Sequence, residues 1–257
     1  MEPPFRNGLS SRTREKKVGG WLTGIFGFYL ISMFLVPALL PANSVPELSG
    51  RANTLDYYDE DGWGNKEHPE GGGMGHNQSE HGVFEWSNLS NPYYSFVYAF
   101  GDFNCHQKHE RSWEINGNQM PVCVRDVGIF LGLTIGAWWW SRRGLNRWTL
   151  RDSFLTLLPD SRILNLYLVD RRMITMLAIG LGMSLPLVLD GGIQALTSYE
   201  SVNPMRLATG IPFGFIISWF FAASLSSRPV DFEGNPSKVK LPSGARLMSE
   251  KPSDESE

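Results

Sequence analysis

Four long apolar blocks constrain this chain more than any other feature: Gly20–Leu40, Val122–Trp140, Met173–Leu189 and Met205–Leu225. A helix crossing a hydrocarbon core needs roughly 20 apolar residues at about 1.5 Å each. The third block is the shortest, at 17 residues, and still falls in the usual range. The mean hydropathy of −0.19 suggests a soluble protein, but the average hides the separation of apolar from polar residues. No soluble helical protein of 257 residues needs four such runs. The expected fold is therefore an all-α integral membrane protein with four transmembrane helices.

The first block also resembles a secretory signal peptide. Arg12, Arg14, Lys16 and Lys17 precede it, and Ala42-Asn43-Ser44 offers small residues for cleavage. Its apolar run exceeds the roughly 7–15 residues of a signal core, which favours a retained anchor.

Charge sets the expected orientation. The arm 1–19 has five Lys/Arg against two acids, and the segment 141–172 has seven arginines against three aspartates. Between the first two blocks, 41–121 has four Lys/Arg against twelve acids. Cytoplasmic segments are enriched in Lys/Arg, so the arm and the arginine segment belong inside. Four crossings at 20–40, 122–140, 173–189 and 205–225 satisfy this. They place 41–121 and 190–204 outside, and both termini, including the tail 226–257, in the cytoplasm of a cell-membrane protein.

Within the outer segment, 41–91 is acidic and rich in glycine and histidine, and is expected to be largely disordered. Its His68, His76 and His81 meet no zinc-type spacing, so a solvated loop is the preferred reading. Asn77 and Asn88 each begin an Asn-x-Ser glycosylation pattern. Pro92–Asp102 is apolar and aromatic but too short to span. It reads as a short interfacial or re-entrant helix that opens the segment 92–121 and leads into Cys105.

Charges beside spanning segments are costly and therefore informative. Arg125 and Asp126 fall in the first turn of the second span, after Pro121. Asp190 closes the third, and Asn203-Pro204 looks like the start of the fourth, with Arg206 in its first turn. The helix dipole disfavours a cation there, so a carboxylate is expected beside it, from Glu200 or Asp190. His106, Gln107, Arg111, Arg125, Asp126, Asp190, Gln194, Glu200 and Arg206 are then candidates for one polar site at the exoplasmic face. Its alternative reading is an ion-paired network that fixes helix ends. Gly128, Gly132 and Gly136, with Gly210 and Gly214, form small-residue ridges suited to close helix packing.

The two cysteines lie on the same side, where a disulfide is allowed. A Cys105–Cys123 bridge would close a loop of about 17 residues, worth roughly 3 kcal/mol in the chain-entropy model. Two free thiols are the plain alternative. A zinc or iron site using Cys105, His106, Cys123 and Asp126 is the sharper one, although adjacent Cys105 and His106 seldom reach one ion together.

At these residues the chain resembles a family of predicted multi-pass membrane proteins of unknown function. The resemblance rests on Cys105-His106-Gln107, Arg111-Ser112 and Pro121-Val122-Cys123-Val124-Arg125-Asp126-Val127-Gly128. It continues in Asp190, Gly191, Gln194, Glu200, Ser201, Arg206, Thr209 and Gly210. Asp126 and Val127 replace a Cys-Thr pair of the family pattern, which weakens a three-cysteine centre. The resemblance implies a membrane location and a shared polar site, and supplies no activity.

The expected function is a polar pocket at the exoplasmic face that binds or transports a small ligand, or that supports a membrane complex. The competing class is an intramembrane enzyme with Asp126, Asp190, Glu200 or His106 as acid or base and Arg125 or Arg206 on an anionic group. An assembly protein whose loop binds partners outside is a third. No Walker, Rossmann, HExxH or serine-hydrolase pattern occurs. The expected partners are membrane lipid and a second copy or a membrane complex, with no nucleic acid.

Overall fold

A computed structural model describes residues 5–48, 84, 86–105 and 107–247. The described residues are mostly helical and include four long α-helices and three short ones. The long helices are α1 (Thr13–Leu39), α3 (Val124–Arg143), α6 (Arg172–Leu196) and α7 (Asn203–Ser226). The short ones are α2 (Pro92–Asn104), α4 (Leu150–Phe154) and α5 (Asp160–Leu168). Among the described residues, α1, α6 and α7 are long and apolar enough to cross a membrane. The fourth expected span, α3, has 20 residues but carries Arg125 and Asp126 at one end and Arg142 and Arg143 at the other.

Two expectations are corrected. The third span does not end at Asp190: α6 runs on to Leu196, so Asp190 and Gln194 are helical and the connection to α7 shrinks to 197–202. Hydropathy marks where a segment stops being apolar, whereas the backbone bonds of a helix continue through Gly191 and Gly192. The all-α expectation also missed a hairpin of β1 (Glu114–Ile115) and β2 (Asn118–Gln119), paired antiparallel. Asn116 and Gly117 turn it with φ of 55° and 69°, the left-handed pair that a two-residue hairpin requires.

The described chain forms two compact units. The first comprises Met1–Gly24, Leu133–Leu185 and Phe215–Glu257, and the second Ile25–Gly132 and Pro186–Gly214. Each long helix gives one part to each unit.

The first unit is more ordered than a basic loop and tail would be. Arg12 donates to the carbonyls of Gly144 (2.8 Å) and Arg142 (2.7 Å). It thereby satisfies the unpaired end of α3, where a cation also complements the helix dipole. Buried Arg147 holds Asp160 through both carboxylate oxygens at 3.0 and 2.8 Å. Arg172 reaches the buried Asp152 at 3.1 Å. Trp140, Phe154, Trp219 and, from the tail, Phe232 build the apolar core. Phe154 and Trp219 stack with centroids 4.3 Å apart.

In the second unit, α2 begins where Asn91 accepts a hydrogen bond from the Tyr93 backbone N–H, with Pro92 at the first helical position, where its missing N–H costs nothing. Tyr29 of α1 meets Phe100 of α2 and Phe130 of α3 at 4.6 and 4.8 Å. The start of α3 lies against α7 so closely that a Cβ on Gly128 would fall 2.6 Å from the Leu207 carbonyl oxygen, and one on Gly210 2.5 Å from that of Arg125. These two positions need glycine for backbone approach.

The flanks of the acidic segment are also structured. Val45 and Leu48 are buried, held by Asn118 Oδ1 (2.9 Å) and Gln119 Oε1 (2.7 Å), which accept from their backbone N–H groups. The rest of the segment, with His68, His76, His81 and Asn77, lies outside the described residues. So does His106. Asn88 is described and exposed, in a single 3-10 turn.

Candidate functional site

The polar candidates fall into two neighbouring arrangements within the second unit. The first joins α3, α6, α7 and the loop 107–112. Arg125, in the first turn of α3, pairs with Asp190 of α6. One helical turn later, Gln194 accepts from the same guanidinium at 3.3 Å, and Tyr199 donates to the other Asp190 oxygen at 3.3 Å. Asp190 is buried and the Arg125 side chain is 19% exposed, so the charges have little access to water and depend on each other.

Glu200 sits between two arginines. Arg111 donates to Oε1 at 2.7 Å and Arg206 to Oε2 at 3.0 Å. Gln194 also donates to Glu200, which connects this group to the Arg125–Asp190 pair. The carboxylate offsets the unfavourable place of Arg206 at the start of α7. Slight burial works against ionisation of Glu200. The hydrogen bond and charge of Arg111, with Gln194 and Arg206, outweigh it and hold the carboxyl below its ordinary value.

A cavity of about 240 Å³ opens here, lined by Lys108, Glu110, Arg111, Glu200, Ser201 and Arg206. Arg206 has only 3% of its side chain exposed. Its Nε and the buried Ser201 Oγ have no hydrogen-bond partner among the described residues. Buried polar groups are seldom left unpaired. Ser201 carries part of the family resemblance but is not among the polar-site candidates, and Lys108 is new; its place three residues before Arg111 is its pointer in the sequence.

Asp126 does not join these charges. It makes no ion pair among the described residues and instead accepts from Cys123 Sγ at 3.0 Å. Cys105, which ends α2, lies beside them, and one ligand atom from each of Cys105, Cys123 and Asp126 falls within 4.8 Å of the others. The expected disulfide is absent: both cysteines are free. Cys105 Sγ accepts from the backbone N–H groups of Cys123 (3.0 Å) and Gln107 (3.5 Å). Burial, then the hydrogen bond with Cys123 and the negative charge of Asp126, push the Cys105 thiol well up.

Gln107 is buried and donates to the Pro121 carbonyl at 2.9 Å. It braces the loop rather than lining the cavity. His109, not among the sequence candidates, lies between Glu47 (3.6 Å) and Glu114 (3.4 Å) at the surface.

These features define a helical protein of the membrane type, with a charged site built from the ends of its long helices. Residues 105–220 match a family model described as "Predicted membrane protein (DUF2085)", a stretch that contains every member of both arrangements. An uncharacterised protein of Methanocaldococcus jannaschii is 28% identical over 124 residues, covering 48% of this chain and 65% of the relative. An uncharacterised protein of Methanothermobacter thermautotrophicus is 28% identical over 110 residues, covering 43% and 77%. The chain thus spans just under two thirds of the first relative. No solved structure matches.

Proposed function

We propose that the chain is a four-pass cell-membrane protein with both termini cytoplasmic, and that its exoplasmic face binds a small anionic ligand in the cavity between Lys108, Arg111, Ser201 and Arg206. One observation carries the ligand reading: Arg206 Nε and Ser201 Oγ are both buried, both unpartnered among the described residues, and both on residues lining the same cavity. Glu200 is a carboxylate clamped by two guanidinium groups, the arrangement a bound carboxylate or phosphate would adopt. It acts as a built-in competitor on a short, exposed connection.

The fourth crossing is assigned to α3. Twenty helical residues span about 30 Å, and the charges of α3 are confined to its end turns. Arg142 and Arg143 lie over the rings of Trp138 and Trp139 at 5.3 and 5.0 Å. Tryptophan and snorkelling arginine are the residues that suit a membrane–water interface.

Binding is favoured over catalysis because the carboxylates of Asp190 and Glu200 are both engaged by arginine side chains. A general acid or base needs a group poised to exchange protons.

The test is thermal unfolding of the full-length protein in detergent with inorganic phosphate, sulfate or acetate, against chloride at equal ionic strength. A ligand at 100 times its Kd adds about 2.7 kcal/mol. At least one anion should stabilise the wild type, stabilise Glu200→Gln at lower concentration, and leave Arg206→Gln unchanged. Equal curves with every anion, in wild type and Glu200→Gln alike, would overturn the reading.

A further inference from the structure

We propose that Cys105, Cys123 and Asp126 form a binding site for one thiophilic divalent cation, with zinc the best match, independent of the anion cavity. The three side chains come from two elements. Cys105 ends α2, while Cys123 and Asp126, three residues apart, share one face at the start of α3. Their ligand atoms lie within 4.8 Å of one another, and Cys123 Sγ and Asp126 Oδ2 are 3.0 Å apart. Zinc bonds of about 2.3 Å to sulfur and 2.0–2.2 Å to oxygen place tetrahedral donors roughly 3.6–3.8 Å from each other. Shifts of about an ångström or less in the side chains close that difference.

Charge supplies a second argument. Arg125 is next to Asp126 in sequence yet is committed to Asp190. Two thiols and a carboxylate are therefore gathered with no cationic side chain in an ion pair with Asp126 among the described residues. That donor set suits a thiophilic divalent cation.

The surroundings favour the metal. Two backbone N–H groups, of Cys123 and Gln107, point at Cys105 Sγ, and such donors stabilise a metal-bound thiolate. Binding would release the thiol protons to solvent, leave two thiolates and a carboxylate on the ion, and give the fourth position to water. Two thiolates select zinc over magnesium or calcium. The ion would fasten the end of α2 to the start of α3.

Elemental analysis of the full-length protein, purified in detergent after zinc loading and gel filtration, gives the first readout. The expected result is about one zinc per wild-type chain, with Cys123→Ser and Asp126→Asn losing most of it. Asp126→Cys should retain it, since a thiolate there is an equally good ligand. Cobalt loading gives a second readout, a thiolate-to-cobalt charge-transfer band in wild type that weakens in Cys123→Ser. Should the variants unfold, wild type alone decides: both thiols should resist alkylation until a chelator is added. Zinc near zero in loaded wild type, or a mass two hydrogens short that shows a disulfide, would overturn the proposal. So would equal zinc in wild type, folded Cys123→Ser and folded Asp126→Asn.

Discussion

Arg125 and Glu200, on different segments, are tied together through one side chain. The amide oxygen of Gln194 accepts from Arg125 at 3.3 Å, and its nitrogen donates to Glu200. Arg125–Asp190 and Arg111–Glu200–Arg206 therefore form one network rather than two isolated pairs, and the predictions below follow from that connection.

Asp190→Asn and Arg125→Gln, singly and together, should show coupling of about 0.5–3 kcal/mol in thermal or chemical unfolding in detergent. Each single change leaves a poorly hydrated partner without its counter-charge, so the double variant should lose less than the sum. Arg111→Gln with Glu200→Gln should couple more weakly, within about 1 kcal/mol, because Glu200 is 64% exposed and water screens the pair. Additive effects at Arg125 and Asp190 would mean that each is solvated separately.

Stability should depend on pH through Glu200. Its folded pKa is depressed chiefly by Arg111 acting against slight burial, so its contribution is complete above the ordinary carboxylate value, about 4.3. That contribution disappears as pH falls through the lower folded value. The gap in unfolding temperature between wild type and Glu200→Gln should be flat from neutral pH to about pH 5 and close in more acidic buffer. A gap that widens on acidification has the wrong sign for this arrangement.

In the first unit, Asp160→Ala should be among the more damaging single changes, at about 3–5 kcal/mol. It strands Arg147, whose side chain is fully buried. Arg147→Met with Asp160→Ala should recover much of the loss, because the fully buried charge is removed with its partner and only the half-exposed Arg6 loses its ion pair. An Asp160→Ala protein as stable as the wild type would show that Arg147 finds water or another acceptor.

Arg125, Asp190, Glu200 and Arg206 were readable from sequence because charge at the edge of an apolar run is expensive, and the structure brings all four into one network. Asp126, expected in the same cluster, accepts instead from Cys123 Sγ. Neighbours on a helix point about 100° apart, so Arg125 faces α6 while Asp126 faces Cys105. Reading Asp190 as a helix end confused the limit of apolar composition with the limit of the backbone ladder. Asn116-Gly117, a strong hairpin signal, was overlooked between larger features. The order of the first unit was less accessible. Arginines such as Arg147 read as solvated positive charge, and nothing local reveals that Asp160, 13 positions away, will bury one of them.

The central claim is that the charged network faces the exoplasm of a four-pass protein whose arginine-rich segment is inside. Single added cysteines at exposed positions test it, with Ser198→Cys in the α6–α7 connection and Ser161→Cys in α5. Both are read in intact cells with a membrane-impermeant thiol reagent, above the background of wild-type Cys105 and Cys123. The account predicts labelling of Ser198→Cys from outside, and labelling of Ser161→Cys only after the membrane is opened. Labelling of Ser161→Cys in intact cells, with Ser198→Cys protected, would contradict it.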